Sequence, residues 1–187
     1  LMAAYRRFVQ RHLYFHGEHR TFLSKNPSFT PFMATLADAF PDARFIGCLR
    51  NPTAAVPSQI NSIVIGGKLF DGRDTADYWR EGFLAMLDYY YRHLLEQLDG
   101  LPEGRGALSV METLAAAPGE SVSGFYRTFG WTPSPGYRAF LDGEDRRAAA
   151  YRSGHRYSLE NLGVDPGRLA ATFGWVYDRF GYPRPGD

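Results

Sequence analysis

Phe40-Pro41-Asp42-Ala43-Arg44-Phe45-Ile46-Gly47-Cys48-Leu49-Arg50-Asn51-Pro52 decides the fold, read together with Lys25-Asn26-Pro27 upstream and Ser58 downstream. Residues 44–49 form a short, mostly apolar run without clean alternation. That pattern suits a strand buried on both faces of a parallel sheet. Pro41-Asp42 supplies the turn into it, and Pro52 or Thr53 opens a helix after it. Arg50 then stands at the carboxyl end of a strand, where open α/β sheets bind ligands. Ser58 falls in the second turn of the next helix. Lys25 ends a short strand candidate, Thr21-Phe22-Leu23-Ser24. Arg50 and Ser58 are thus placed where an anion is held, with Lys25 on a neighbouring strand.

Working outward, Leu1, Tyr5, Phe8 and Leu13 recur at helical spacing and predict an amphipathic helix over 1–14. His16-Gly17-Glu18-His19 reads as a loop, and Asn26-Pro27 breaks the short strand. Ser28 or Thr30 caps a helix through Ala39, with Pro31 near its first turn and Phe32, Leu36 and Phe40 on one face. Strand, helix and strand give one βαβ unit with a right-handed crossover. Beyond Pro52, Val56, Ile60 and Ile63 are spaced for burial. Gly66-Gly67 is expected to end that helix, with a loop over 68–74. The longest helical pattern covers 75–98. Its stripe of Tyr78, Trp79, Phe83, Met86, Leu87, Tyr90, Leu94 and Leu95 reads as core packing. Ala107-Leu108-Ser109-Val110-Met111 is a second buried strand. Helices follow over 120–129 and after Pro135, the latter with the polar run 142–147 exposed. Residues 152–157 form a basic loop, and Ser158 caps a short turn. Asp165-Pro166 opens a last helix to about Phe180, with Asp at the N-cap and Pro at N1.

The 187 residues suffice for one domain with a real core, and neither repeats nor a domain boundary are visible. Hydrophobic residues at 44% and aromatics at 16% argue for a packed globule. A net charge of +1 gives no global attraction to nucleic acid, so any anion site depends on local placement. Nineteen of the 21 basic residues are Arg, so Lys25 stands out as a compact ammonium against the chain's own bias. The single cysteine, Cys48, excludes an internal disulfide framework and is expected to be a buried, inert thiol. No apolar run approaches the ~18 residues of a membrane span, and no signal peptide is visible. The chain begins with Leu1, as a processed product or a piece of a longer chain does.

Several chemistries find no support. His12 and His16 lie four apart and His16 and His19 three apart, but there is neither an HExxH motif nor a cysteine pair, so no metal site is expected. There is no GxSxG nucleophile elbow. There is no complete GxxxxGK[ST] loop; Gly66-Gly67-Lys68-Leu69 lacks both the spacing and the hydroxyl.

Arg50-Asn51-Pro52 after a buried strand, with Ser58 eight residues beyond Arg50, resembles the sulfotransferase superfamily that uses 3′-phosphoadenosine-5′-phosphosulfate. Lys25-Asn26-Pro27 is similar to the Lys-containing element of its bacterial and protein-tyrosine branches, and residues 40–46 resemble its lead-in. Met111-Glu112-Thr113-Leu114 with Pro118 is like that branch's Tyr-Glu-Asp-Leu…Pro element, with Met111 in place of Tyr. His155-Arg156-Tyr157-Ser158-Leu159-Glu160-Asn161-Leu162-Gly163 looks like its C-terminal segment. The resemblance implies that Arg50 and Ser58 bind the donor's 3′-phosphate and that Lys25 stabilises the bridging or transferring oxygens. The chemistry is coherent. A guanidinium is a planar fork for phosphate oxygens, and a helix N-terminus adds N–H donors and partial positive charge. Each charge-assisted bond contributes roughly 1.5–3 kcal/mol. The donor carries its own leaving group, so no metal is required.

Two elements of the family pattern are missing. The loop Pro-[Arg/Lys]-Ser-Gly-Thr-Thr that cradles the 5′-phosphosulfate is not in these residues and is expected before Leu1. The base of the small-molecule branch, a His two residues after the Lys, is here Pro27. His16 and His19, with Glu18 between them, precede Lys25 and are the candidates to approach an acceptor.

The implied fold is a single, helix-rich α/β domain over residues 1–187. It has a three-layer, P-loop NTPase-like parallel sheet flanked by helices and is N-terminally incomplete. The implied function is sulfuryl transfer to a hydroxyl or amine on a small-molecule or peptide acceptor, in the cytoplasm, with the 187 residues alone inactive. A nucleotide kinase-like phosphotransferase and a non-catalytic interaction domain of the same fold are the alternatives.

Overall fold

Residues 1–72, 76–150, 159 and 162–186 are described by a computed structural model. Strands β1 (Phe45–Leu49) and β2 (Gly106–Val110) run parallel, with Phe45 opposite Gly106 and Leu49 opposite Val110. Parallel neighbours need a crossover rather than a hairpin. Here it is a long helical pair, α3 (Pro52–Asp71) and α4 (Ala76–Asp99). Helix α1 (Met2–His16), a 3-10 segment (Pro27–Phe32) and α2 (Met33–Ala39) precede β1. Helices α5 (Met111–Ala116), α6 (Pro118–Thr128), α7 (Pro135–Ala150) and α8 (Pro166–Phe180) follow β2. No helix among the described residues is long and apolar enough to cross a membrane.

The core lies where α3, α4 and α8 meet the carboxyl end of β1. Val56 and Ile60 of α3, Leu169, Phe173 and Val176 of α8, and Leu49 are fully buried or nearly so. Phe83, Leu84, Tyr91 and Leu95 of α4 complete it. The α4 stripe is therefore core only in part: Tyr78, 77% exposed, and Met86 lie outside it. Asp165 caps α8 as its sequence requires, its Oδ1 accepting from the Arg168 amide at 2.6 Å, with Pro166 at N1. Arg105 ties α2 to β2, donating to the carbonyls of Ala37 and Phe40 at 3.2 and 3.1 Å. Cations suit a helix carboxyl end, where carbonyls lack intrahelical donors.

Several further expectations need correction. Residues 21–26 have no regular secondary structure and pair with no strand among those described. They are held by side chains instead: Tyr5 Oη donates to Ser24 Oγ at 3.2 Å, and the Phe22 ring packs edge-on to Phe8 and His12. The parallel unit is accordingly β1–α3–α4–β2. Secondly, α1 buries only Val9. Its Tyr5 ring packs against Phe29 and Phe40, while Leu1 and Phe8 are exposed.

Thirdly, α3 runs straight through Gly66-Gly67 and stops at Gly72, whose φ of 69° is left-handed and whose amide N–H donates a hydrogen bond to the Lys68 carbonyl. Two helical glycines cost about 2 kcal/mol relative to alanine. Burying Val56, Ile60 and Val64 contributes about 1.5–3 kcal/mol each, which outweighs that cost. Fourthly, β1 is covered on one face only. Gly47 and Leu49 point to the core, with Leu94 and Leu98 directly over Gly47, whereas Ile46 and Cys48 are exposed. Cys48 is thus not buried, although partial burial pushes its thiol above the usual range.

In the 3-10 segment the cap is Asn26, whose Oδ1 accepts from the Ser28 amide, rather than Ser28 or Thr30. Asp145, inside the supposedly solvated 142–147 run, is half-buried and accepts from the amides of Gly119 and Glu120 at 2.6 and 3.1 Å. It anchors the amino end of α6. The basic loop over 152–157 and the Ser158 cap lie outside the described residues.

Candidate functional site

The turn from β1 into α3 is held from four directions. Tyr91 of α4 donates its hydroxyl to the Arg50 carbonyl at 2.8 Å. Glu112, in the first turn of α5, accepts from the Asn51 amide through Oε1 at 3.0 Å and from the Tyr182 hydroxyl through Oε2 at 2.9 Å. Asn51 caps α3 with its own side chain, Oδ1 accepting from the Thr53 amide at 2.9 Å. Thr53 Oγ1 and the Tyr177 hydroxyl of α8 lie 2.9 Å apart in a hydrogen bond. The carboxyl ends of β1 and β2 and the end of α8 thereby converge on one turn. Burial raises the Tyr91 hydroxyl well above its ordinary pKa, the nearby Glu112 carboxylate adding to the shift and the Arg50 guanidinium opposing it. Burial also raises Tyr177 and Tyr182, the latter helped by its bond to Glu112. All three hydroxyls are protonated at neutral pH, and those of Tyr91 and Tyr182 donate.

Arg50 is exposed, and among the described residues its guanidinium makes neither an ion pair nor a hydrogen bond. Ser58 lies two turns into α3 and is half-buried; its carbonyl accepts from Ser62, and its hydroxyl is uncommitted. The backbone of Arg50 is fixed while its side chain is not, a combination that suits an anion ligand.

The amides of α3 do not contribute as expected. Pro52 has none, Thr53 is bonded to the Asn51 side chain, and Ala54 and Ala55 both donate to the Asn51 carbonyl at 2.9 Å. The Asn51 amide is taken by Glu112. A self-capped helix with an internal carboxylate leaves an incoming anion the dipole of α3 and the side chains Arg50 and Ser58, but no vacant backbone donor.

The other candidates stand apart. Lys25 is exposed in the irregular segment 21–26, without a partner among the described residues. His16 ends α1, exposed, its ring 4.3 Å from that of His12 and 4.8 Å from that of Phe15. His19 is exposed, its ring folded over Gly17, where φ is 117°. No hydrogen bond, ion pair or ring contact joins Lys25, His16 or His19 to Arg50 or Ser58 among the described residues. No group of three or more His, Cys, Asp or Glu side chains among them is placed to hold a metal ion. An open groove of about 530 Å³ lies elsewhere, between β2 and the α6 face carrying Ser121, Gly124, Phe125 and Thr128, and none of the candidate residues lines it.

The parallel strand pair, with an unpaired arginine at the carboxyl end of β1 and a serine on the following helix, defines a class. Residues 1–135 match a family model described as Sulfotransferase family, and the chain belongs to that family. Its fold is similar to the crystal structure of sulfotransferase STF9 from Mycobacterium avium, with a TM-score of 0.69 and 19% sequence identity over 87% of this chain. The match spans 42% of that protein's length. No curated protein sequence matches the chain.

Proposed function

We propose that this chain is the donor-phosphate part of a sulfotransferase that moves a sulfuryl group from 3′-phosphoadenosine-5′-phosphosulfate to a hydroxyl or amine. The observation that carries the proposal is the Arg50 guanidinium, exposed and unpaired on a backbone held by Tyr91 and Glu112. Arg50 and Ser58 would hold the 3′-phosphate, and Lys25 is assigned to the sulfuryl oxygens. The donor supplies an activated sulfuryl group with its own leaving group, so the protein's task is positioning and charge neutralisation. His16 and His19 are the candidates for proton acceptance from the acceptor; a base must reach hydrogen-bonding distance of it. The acceptor is a small molecule or peptide. The parallel sheet, its helical crossover and the likeness to a solved sulfotransferase support a single domain over 1–187 in a three-layer, P-loop-like arrangement.

The test is calorimetric binding of adenosine 3′,5′-bisphosphate to the 187-residue chain. A charge-assisted bond contributes roughly 1.5–3 kcal/mol, so Arg50→Ala is expected to weaken binding at least about tenfold. Ser58→Ala loses a neutral donor and is expected to weaken it about two- to tenfold. Unchanged affinity in Arg50→Ala would overturn the assignment.

A further inference from the structure

Glu112 sits one peptide from Arg50, since the amide it accepts from is the one that joins Arg50 to Asn51. An exposed carboxylate so close to an exposed guanidinium is its natural ion-pair partner, and the fork-to-fork pair uses both carboxylate oxygens. That pair does not form. Oε1 is engaged by the Asn51 amide at 3.0 Å and Oε2 by the Tyr182 hydroxyl at 2.9 Å. We propose that Tyr182 is a positioning residue of the anion site: it latches Glu112 away from Arg50 and so keeps the guanidinium available for a phosphate group. The phosphate half of this statement rests on the function proposed above.

The latch is built into the end of α8. Gly181 takes a left-handed φ of 65°, and both its amide and that of Tyr182 donate to the Tyr177 carbonyl. The Tyr182 ring stacks on Phe180 at 5.9 Å between centroids, and Tyr177 is itself bonded to Thr53 at the start of α3. The direction of the Tyr182 hydroxyl is thus fixed by the helix cap, and it reaches across from the end of α8 to α5. Removing the hydroxyl leaves Oε2 without its donor, one peptide from a cation. Replacing Glu112 by Gln removes the charge yet retains both contacts, because an amide oxygen accepts from Asn51 and an amide nitrogen donates to the Tyr182 oxygen.

The test compares wild type, Arg50→Ala, Tyr182→Phe, Glu112→Gln and the Tyr182→Phe/Glu112→Gln double variant in two assays. One is calorimetric binding of adenosine 3′,5′-bisphosphate. The other is the rate at which phenylglyoxal modifies Arg50, read by peptide mass spectrometry without ligand. Tyr182→Phe is expected to bind about two- to fivefold more weakly and to be labelled at Arg50 more slowly by a similar factor, the range set by a surface ion pair. The double variant is expected to recover the binding and labelling of Glu112→Gln, a rescue that loss of folding would not give. Labelling of Tyr182→Phe at the wild-type rate would overturn the latch whatever the ligand. Arg50→Ala binding like wild type would instead remove the phosphate assignment, leaving the labelling rates to decide the latch.

Discussion

Tyr91→Phe deletes one oxygen and keeps the ring that packs against Phe173. The hydroxyl donates to the Arg50 carbonyl at 2.8 Å, and Tyr91 is 7% exposed, so little water can replace it. A lost hydrogen bond costs about 0.5–1.5 kcal/mol net, and an orphaned carbonyl up to about 3. The expected destabilisation near neutral pH is about 1–2 kcal/mol, seen as a lower urea midpoint with unchanged slope. The same substitution removes a group whose folded pKa is raised by burial. Its sign is fixed by linkage. Above the ordinary tyrosine value of about 10, the unfolded chain releases the Tyr91 proton while the native state retains it, so native stability falls as pH rises. The slope approaches about 1.4 kcal/mol per pH unit for this one group. Other groups titrate alike in both proteins, so the gap between wild type and Tyr91→Phe should be constant below about pH 9 and should close above about pH 10. Equal midpoints at neutral pH would refute the hydrogen bond's role. A gap that stays constant through the alkaline range would refute the buried, protonated hydroxyl.

Asp145→Ala removes the carboxylate that accepts two amides at the amino end of α6, and urea unfolding should show a loss of about 1–2 kcal/mol. Gly119→Ala should be worse, because its Cβ would clash with the Leu141 carbonyl oxygen, so α6 and α7 must separate; a loss above about 2 kcal/mol, or insoluble protein, is expected. The two changes share Asp145 as a neighbour and should not add in the double variant. Lys25→Ala should leave stability within about 0.5 kcal/mol, since the side chain is exposed and without a partner among the described residues, so any loss of donor binding would report function.

Elements with strong local signals were legible. Residues 45–49 announced themselves by an apolar run, α8 by Asp165-Pro166, and the order of strands and long helices by period and breakers. Burial was less legible because it depends on what lies opposite. The run in β1 reads as buried on both faces, yet helices cover only the Gly47 and Leu49 side. Gly66-Gly67 reads as a stop, yet tertiary packing along α3 exceeds the local glycine penalty. Thr21-Phe22-Leu23-Ser24 has a strand's composition, but a strand needs a neighbour's ladder, and aromatic contacts to α1 take its place.

The candidate site shows the same division. Arg50 and Ser58 were visible because their spacing is local, one strand end and two helical turns. The groups that fix Arg50 come from positions 91, 112, 177 and 182, and no local pattern connects those to residue 50. Without them, the sequence points to backbone amides as the donors of the proposed anion site. A helix amino end suggests open amides, and in the sequence Asn51 reads as part of an Arg-Asn-Pro element. In the fold Asn51 closes α3 with its side chain and its carbonyl, and hands its amide to Glu112. An anion held here as proposed would therefore lose affinity steeply with the Arg50 side chain. A site built on backbone donors would tolerate that loss, because its amides would remain in place.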